Sequence, residues 1–343
     1  MIQKVFILIQ VLIFVIVLIK TVLVATWNVQ NVNLPNVDQT VESFVNGCMS
    51  SKKWMEEMLL FIIPFLRRVK IHSELYKLGY ILGKGIGEGS YCKVKIAISN
   101  NKKVACKIIE KKRASPDFVN KFLPRELSIA RSLSHPHIVS VLDVIDIGPS
   151  VLIFMDYCAH GDLLEHIRSY GAFCENKTRH LFRQILSAVA YLHSLDIAHR
   201  DLKCENILLH TLDYIKISDF GFARRVRSVE GHRLLSDTFC GSAAYAAPEI
   251  LQGISYNPTM YDSWSIGCVL FIMLTATMPF DDSNVAVMLR AQQEGAIAFP
   301  VDINLSSGVR RLIVHLLEPD VTRRATISQA YKSPWMNNCQ NKV

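Results

Sequence analysis

His199 to Asn206, read as HRDLKCEN, sets histidine, arginine, aspartate, lysine and glutamate side chains between the apolar runs YLHSLDIA and ILLH. Burying such charges is costly unless each has a partner or a task, and a stretch meant only for a core would be aliphatic. Lys107 raises the same question. It stands in the strand-like run KKVACKIIE, flanked by Val104, Ala105, Ile108 and Ile109. Glu126 follows in FLPRELSIARSL, which reads as a helix with the glutamate on its early turns. A buried Lys–Glu pair between strand and helix would hold an ammonium against phosphate oxygens; two unrelated surface charges are the competing reading at this point.

Periodicity indicates the elements that must carry these residues. YILGKGIGEGSYCKVKIAI alternates glycines with β-formers and then settles into period two, which predicts strand, glycine loop, strand. Glycines let backbone N–H groups come close to a phosphate. Gly83, Gly85, Gly87 and Gly89 leave two registers open, and an ordinary hairpin would read the same way. After HRDLKCEN, an apolar strand pair, ILLHTLDYIKIS, leads to Asp219-Phe220-Gly221, and Ala247-Pro248-Glu249 follows in AAYAAPEIL. His135 and His137 in SHPHIV have no Cys or carboxylate at ligand spacing and read as a helix-to-strand turn rather than a metal site.

Taken in order, GEGSYCKV, VACK, HRDLKCEN, DFG and APE resemble the eukaryotic protein kinases over residues 80–336. The resemblance implies an α+β, bilobal kinase fold, with a small antiparallel β lobe with one helix at 80–156 and a larger helical lobe at 157–336. Residues 1–27 would be an apolar segment, 28–79 a poorly defined linker and 337–343 a short tail. ATP and Mg²⁺ are the implied cofactors. Asp201 would orient the substrate hydroxyl and accept its proton, and Lys203 would steady the transferring phosphate as in serine/threonine kinases. Asn206 and Asp219 would hold the metal, and Lys107, paired with Glu126, the phosphates. Gly87 and Gly89 would lie against the phosphates. Val94, Ala105 and Leu208 would sandwich adenine, with Met155 as gatekeeper, Asp156 to Cys158 as hinge and Asp162 on the ribose. His199 would pack under Phe220, Glu249 would pair with Arg324, and Asp262 would brace the catalytic loop from a buried helix.

The same resemblance bears on regulation and specificity. Thr238 in SDTFCGSAAYAAPE stands where the calcium/calmodulin-kinase-like group carries its activating phosphothreonine, whose phosphate would pair with Arg200 and Arg224; Ser236 is a second candidate. Glu205 and Ser242 map to the substrate side, and carboxylates at Asp162 and Glu205 would favour arginine before the target hydroxyl. KFLPRE, GDLLE, AYAAPEILQG, YDSWSIG and MPFDDSNVAVMLRAQ are similar to the testis-specific serine/threonine kinases, which implies a role in sperm development. Departures from the pattern are Cys92 at the third glycine, Ala243 in place of a proline, and Ala130 where a leucine is usual. The small Ala130 implies a looser seat for the helix that carries Glu126. A catalytically weak pseudokinase scaffold is the alternative, disfavoured because Lys107, Glu126, Asp201, Asn206 and Asp219 are all present.

Composition narrows the remaining classes. Nine cysteines are scattered without a CxxC pair, which argues against a disulfide framework or zinc site. A net charge of +8 suits a phosphate-bearing ligand or an acidic partner. No Lys/Arg block is interleaved with aromatics as in a nucleic-acid-binding module, so nucleic acid is not an expected partner. Residues 5–25, beginning VFILIQVLIFVIVLI, read on hydropathy as a signal peptide or marginal membrane anchor. Lys4 before the run, and apart from Lys20 no Lys or Arg after it until Lys52, would place everything downstream outside the cytosol. Kinase chemistry needs the cytosol, so the expectation is a cytoplasmic enzyme with an unexplained front end, membrane contact through residues 5–25 and an imperfect gene model being the alternatives. Protein substrates and a chaperone are the expected partners.

Overall fold

The computed structural model describes residues 71–89, 92–228, 230–232, 234–238 and 241–337. The apolar run at 5–25 lies outside them, as does most of the linker. Contacts divide the chain into units 1–71 and 72–343, the second holding both the sheet and the helices.

Its first half is an antiparallel sheet. β1 (Tyr80–Glu88), β2 (Cys92–Ser99), β3 (Lys102–Glu110), β4 (Val141–Ile147) and β5 (Ser150–Asp156) lie in the order β1-β2-β3-β5-β4. Ser99 pairs with Lys102 across a two-residue turn in which Asn100 and Asn101 both take left-handed φ of 48° and 60°. Primed hairpin turns require this, and asparagine tolerates it better than most residues. A helical run over 116–132 crosses from β3 towards β4, and its regular part is α1 (Leu123–Ser132). A π-helical turn, Phe118–Phe122, precedes α1. Pro124 supplies the local reason, since a proline offers no N–H and its ring crowds the carbonyl four residues back, which a wider turn relieves.

The second half is helical: α2 (Leu163–Tyr170), α3 (Glu175–Ser194), α4 (Pro248–Leu251), α5 (Pro258–Thr275), α6 (Val285–Gln293), α7 (Ser307–Leu316), α8 (Ile327–Tyr331) and α9 (Pro334–Asn337). Two small ribbons sit among them, β6 (Ile197–Ala198) with β9 (Arg224–Arg225), and β7 (Ile207–Thr211) with β8 (Tyr214–Ile217). α5 is buried at every residue but Thr259, since apolar residues fall on all of its faces, and it takes Asp262, Ser263, Ser265 and Thr275 into the core with it. Gly267 lets α7 approach it, because a Cβ there would lie 2.8 Å from Leu317 Cδ2. A helical stretch over 71–77 precedes β1, and an antiparallel sheet crossed by α1 and joined to a helical half is the α+β architecture the sequence implied; the segments between them carry HRDLKCEN and DFG.

Candidate active site

β3 and α1 bring Lys107 to Glu126, Nζ to Oε1 at 3.2 Å, and the same ammonium lies 3.3 Å from Asp219 Oδ1. Burial alone would lower the Lys107 pKa, but the Asp219 and Glu126 carboxylates outweigh it and hold the ammonium above its ordinary value. Burial acts in the opposite sense on Asp219, and the Lys107 ammonium overcomes it to keep the carboxyl below its usual range. Asp219 takes a left-handed φ of 63°, uncommon for a residue with a side chain. Strain of this kind persists only where surrounding contacts hold it, and the Lys107 pair is such a contact.

The catalytic-loop segment is organised from below. Asp262, fully buried in α5, accepts the N–H groups of His199 (2.9 Å) and Arg200 (2.8 Å) and a contact from His193 Nε2 (2.8 Å). Arg200 is thereby fixed at φ 66°, in the bend that precedes Asp201. Both Asp201 oxygens are then engaged: Oδ2 by Lys203 Nζ at 3.0 Å and Asn206 Nδ2 at 3.0 Å, Oδ1 by the Ser242 N–H at 3.2 Å. Lys203 Nζ also donates to Ser242 Oγ at 3.1 Å. Gly241, at φ 91°, admits no side chain, since a Cβ would lie 2.8 Å from both Arg200 O and Tyr261 OH. The His199 and Phe220 rings pack with centroids 5.1 Å apart. A carboxylate, two lysines, an amide and a second carboxylate therefore converge between sheet and helices, a set suited to holding polyphosphate beside a hydroxyl.

The family model described as the protein kinase domain matches residues 80–336. The chain belongs to the protein kinase family. Mouse testis-specific serine/threonine-protein kinase 1 is 48% identical over 266 residues, 76% of this chain and 73% of that protein. Human testis-specific serine/threonine-protein kinase 3 is 43% identical over 261 residues, 75% of this chain and 96% of that one. A plant relative, the Arabidopsis thaliana SNF1-related protein kinase catalytic subunit alpha KIN12, is 39% identical over 261 residues, 76% of this chain and 51% of that one. These relatives place this kinase on the serine/threonine side of the family.

The remaining site residues of the kinase fall into three groups. Ala105 pairs with Met155 and Val94 with Lys107 in the sheet, while Leu208 forms a bridge with Asp162 in the helical half. Gly87 lies opposite Val94, and a Cβ on it would meet Val94 Cβ at 3.7 Å; Gly89 donates its N–H to Cys92 O at 2.8 Å. Asp156 gives its side chain to structure, holding Lys216 at 2.8 Å and the Ser140 N–H at 3.0 Å, and its own N–H donates to Ser140 O at 3.2 Å. Burial pushes the Cys158 thiol up to about 12, so it is not a thiolate at neutral pH.

A second group did more than the sequence suggested. Asp162 is the N-cap of α2, its Oδ1 accepting from Glu165 N at 2.8 Å, and Glu205 accepts from Tyr245 OH at 3.3 Å. In the third group, Arg200 and Arg224 meet on Ser236 Oγ, at 3.2 and 3.4 Å, while Thr238 is exposed two residues further on. Ser236 is 1% exposed. His193, which contacts Asp262, belongs to no motif, and its only signal in the sequence is a histidine on an otherwise apolar helix face. His135 and His137 are occupied structurally, by Ser187 Oγ and Ile215 O.

The donor set also fits the cofactors. Among the described residues no group of three or more His, Cys, Asp or Glu gathers into a metal cage. Mg²⁺ does not need one, because it is commonly held by one or two side chains together with substrate phosphates. Asn206 commits its NH₂ to Asp201 O and Oδ2, so its amide oxygen is the group it has to offer a cation, and Asp219 has its carboxylate.

Proposed function

We propose that this kinase transfers the γ-phosphoryl group of Mg·ATP to serine and threonine hydroxyls that have arginine upstream. The observation that carries the reading is the joint placement of Lys107 between Glu126 and Asp219 and of Asp201 between Lys203 and Asn206. Lys107 is charged and positioned for phosphate oxygens, and Lys203 for the group in transit. Asp201 is buried and takes the hydroxyl proton. Bound Mg²⁺ would offset phosphate charge at Asn206 and Asp219. Asp162 and Glu205 each keep carboxylate capacity beyond their structural bonds, which supports the arginine preference. The test is labelled phosphate transfer by the full chain to an arginine-containing serine peptide, with Asp219→Ala as control. Equal rates on a peptide whose arginines are replaced by alanine would remove the specificity claim, and activity surviving in the control would remove the site.

Regulation by phosphate on Thr238 belongs to the same proposal. It is supported by two arginines, Arg200 and Arg224, gathered on a hydroxyl two residues away. Mapping phosphate on the active enzyme, with Thr238→Ala as comparison, tests it. A role in sperm development is part of the same proposal, and the names of the mouse and human relatives, which call those kinases testis-specific, support the testis as its setting. A cytoplasmic location is supported by free thiols at Cys92, Cys106, Cys158, Cys174, Cys204 and Cys268. No helix among the described residues is long and apolar enough to cross a membrane. Fractionation of the full chain with a carboxy-terminal tag tests both location and the role of residues 5–25.

A further inference from the structure

We propose that Ser228, in the segment RRVRSV, is a phosphorylation site for a second copy of this kinase; the inference rests on the arginine preference proposed above. Arg225 stands three residues before Ser228, Arg224 four and Arg227 one. Ser128, Ser134, Ser236 and Thr326 also have an arginine three residues before them, and the fold separates them from Ser228. Arg125 and Arg131, which precede Ser128 and Ser134, lie in α1, so drawing either stretch through another molecule's cleft would dismantle the helix that carries Glu126. Thr326 follows Arg324, which is locked on Glu249 in the core. Ser236 is buried beneath the two arginines it holds.

Much less restrains residues 224–228. β9 pairs with β6 over two residues on each strand, Val226 N donates to Asp196 O and Val226 O accepts from Leu234 N, both at 2.8 Å, Arg227 holds Asp196 and Gly231 O, Arg224 reaches Ser236 Oγ, and Val226 is the one buried side chain of the run. Segments held mainly by polar contacts, with a single side chain in the core, open locally at a fraction of the cost of global unfolding. Ser228 itself is half-buried at the start of a turn: its N–H donates to His232 O at 2.9 Å, its Oγ accepts from His232 N at 3.3 Å, and its hydroxyl meets the exposed Glu230 carboxylate.

In the transfer, Ser228 Oγ of the acceptor forms a bond to the γ-phosphorus of ATP held by the acting copy. The bond from that phosphorus to the β–γ bridging oxygen breaks, ADP leaves, and the hydroxyl proton passes to Asp201 of the acting copy. The product phosphate faces Glu230 and offers Arg227 a second anion beside Asp196, now 2.8 Å from its Nε. Like-charge repulsion then opens the 228–232 turn and loosens the segment that leads to Ser236.

The experiment gives full-length Asp219→Ala chain, which cannot act on itself, to the wild-type full chain with γ-labelled ATP, and maps the labelled residues by mass spectrometry. An arginine-containing serine peptide and its alanine counterpart run beside it. Label is expected on Ser228, absent when Ser228→Ala is added to the acceptor, and about tenfold slower to appear when Arg225→Ala is added, the effect of losing one charged contact. Arginine-dependent peptide labelling with Ser228 untouched overturns the inference and leaves the proposed function standing. A peptide reaction indifferent to arginine brings down that specificity and the inference with it. Should Asp219→Ala fail to melt cooperatively, Asp201→Asn serves as the acceptor and the same outcomes apply.

Discussion

The two lobes each hold a cation against carboxylate, and they hold it differently. Arg324 in the helical lobe is 2% exposed, forks onto Glu249 with Nη1 to Oε1 at 2.7 Å and Nη2 to Oε2 at 2.9 Å, and donates further to Met260 O, Glu318 O and Pro319 O. Its guanidinium carbon lies over the Trp264 ring, 4.9 Å from the centroid. Lys107 makes two longer, single-point contacts, at 3.2 and 3.3 Å, and one of its partners, Asp219, keeps a side chain 48% exposed. The first arrangement is closed, with donors and acceptors committed to one geometry. The second is shared and open on one side, so it can admit a phosphate without first breaking a fully satisfied network. The same charge types therefore fix the fold in one lobe and remain available for chemistry in the other.

The sharpest way to break this comparison is Arg324→Ala, which leaves the buried Glu249 without its partner. Removing one side of a buried pair costs about 3–5 kcal/mol, or a fall of roughly 10 °C in the melting temperature of a domain this size. Arg324→Lys should recover little, because a point charge cannot make the fork. A calorimetric shift under about 2 °C for the alanine variant would mean that Arg324 is not a scaffold element. Lys107→Met should show the reverse profile. Peptide phosphorylation should fall by about 10²–10³, the usual effect of losing one preorganised donor, with a smaller stability loss of about 1–3 kcal/mol, because Glu126 is left without its partner while Asp219 stays half-exposed to water. A variant that melts as early as Arg324→Ala would place both pairs in the scaffold.

Legibility in the sequence follows the same division. HRDLKCEN, DFG and APE could be read because phosphoryl transfer requires particular residue types at short spacing, and Lys107 with Glu126 became readable once those strings set the register. The Glu249–Arg324 fork and the Asp262 brace were legible through the same register, although their partners are far apart along the chain. What was hidden depended on packing alone. No local pattern tells that Ser236 rather than Thr238 receives both arginines, that Asp162 caps α2, or that His193 reaches Asp262 from α3. Such contacts arise where elements cross, and hydrophobic period fixes the face of a helix without fixing which polar group lies opposite.

The smallest expected effect sharpens the comparison at the level of single protons. Lys107, held above its ordinary 10.5, contributes stability that is complete below that pH and is lost as pH climbs through the raised value. Asp219, held below 3.8, contributes stability that is present above that pH and is lost as pH falls towards its depressed value. Between about pH 5 and pH 9 the pair should therefore be flat to titration, like the guanidinium of Arg324, and differ from it only in what can displace it. At pH 8 an acylating reagent should modify Lys107 at least about tenfold more slowly than exposed Lys102, since each unit of raised pKa removes tenfold of the reactive free amine. Poor access would slow Lys107 as well, and Asp219→Ala separates the two causes. Removing that carboxylate leaves burial to pull the ammonium down, so the rate at Lys107 should rise while the rate at Lys102 stays constant. Site-resolved mass spectrometry that finds Lys107 unchanged by Asp219→Ala would show that the Asp219 contact does not hold the charge.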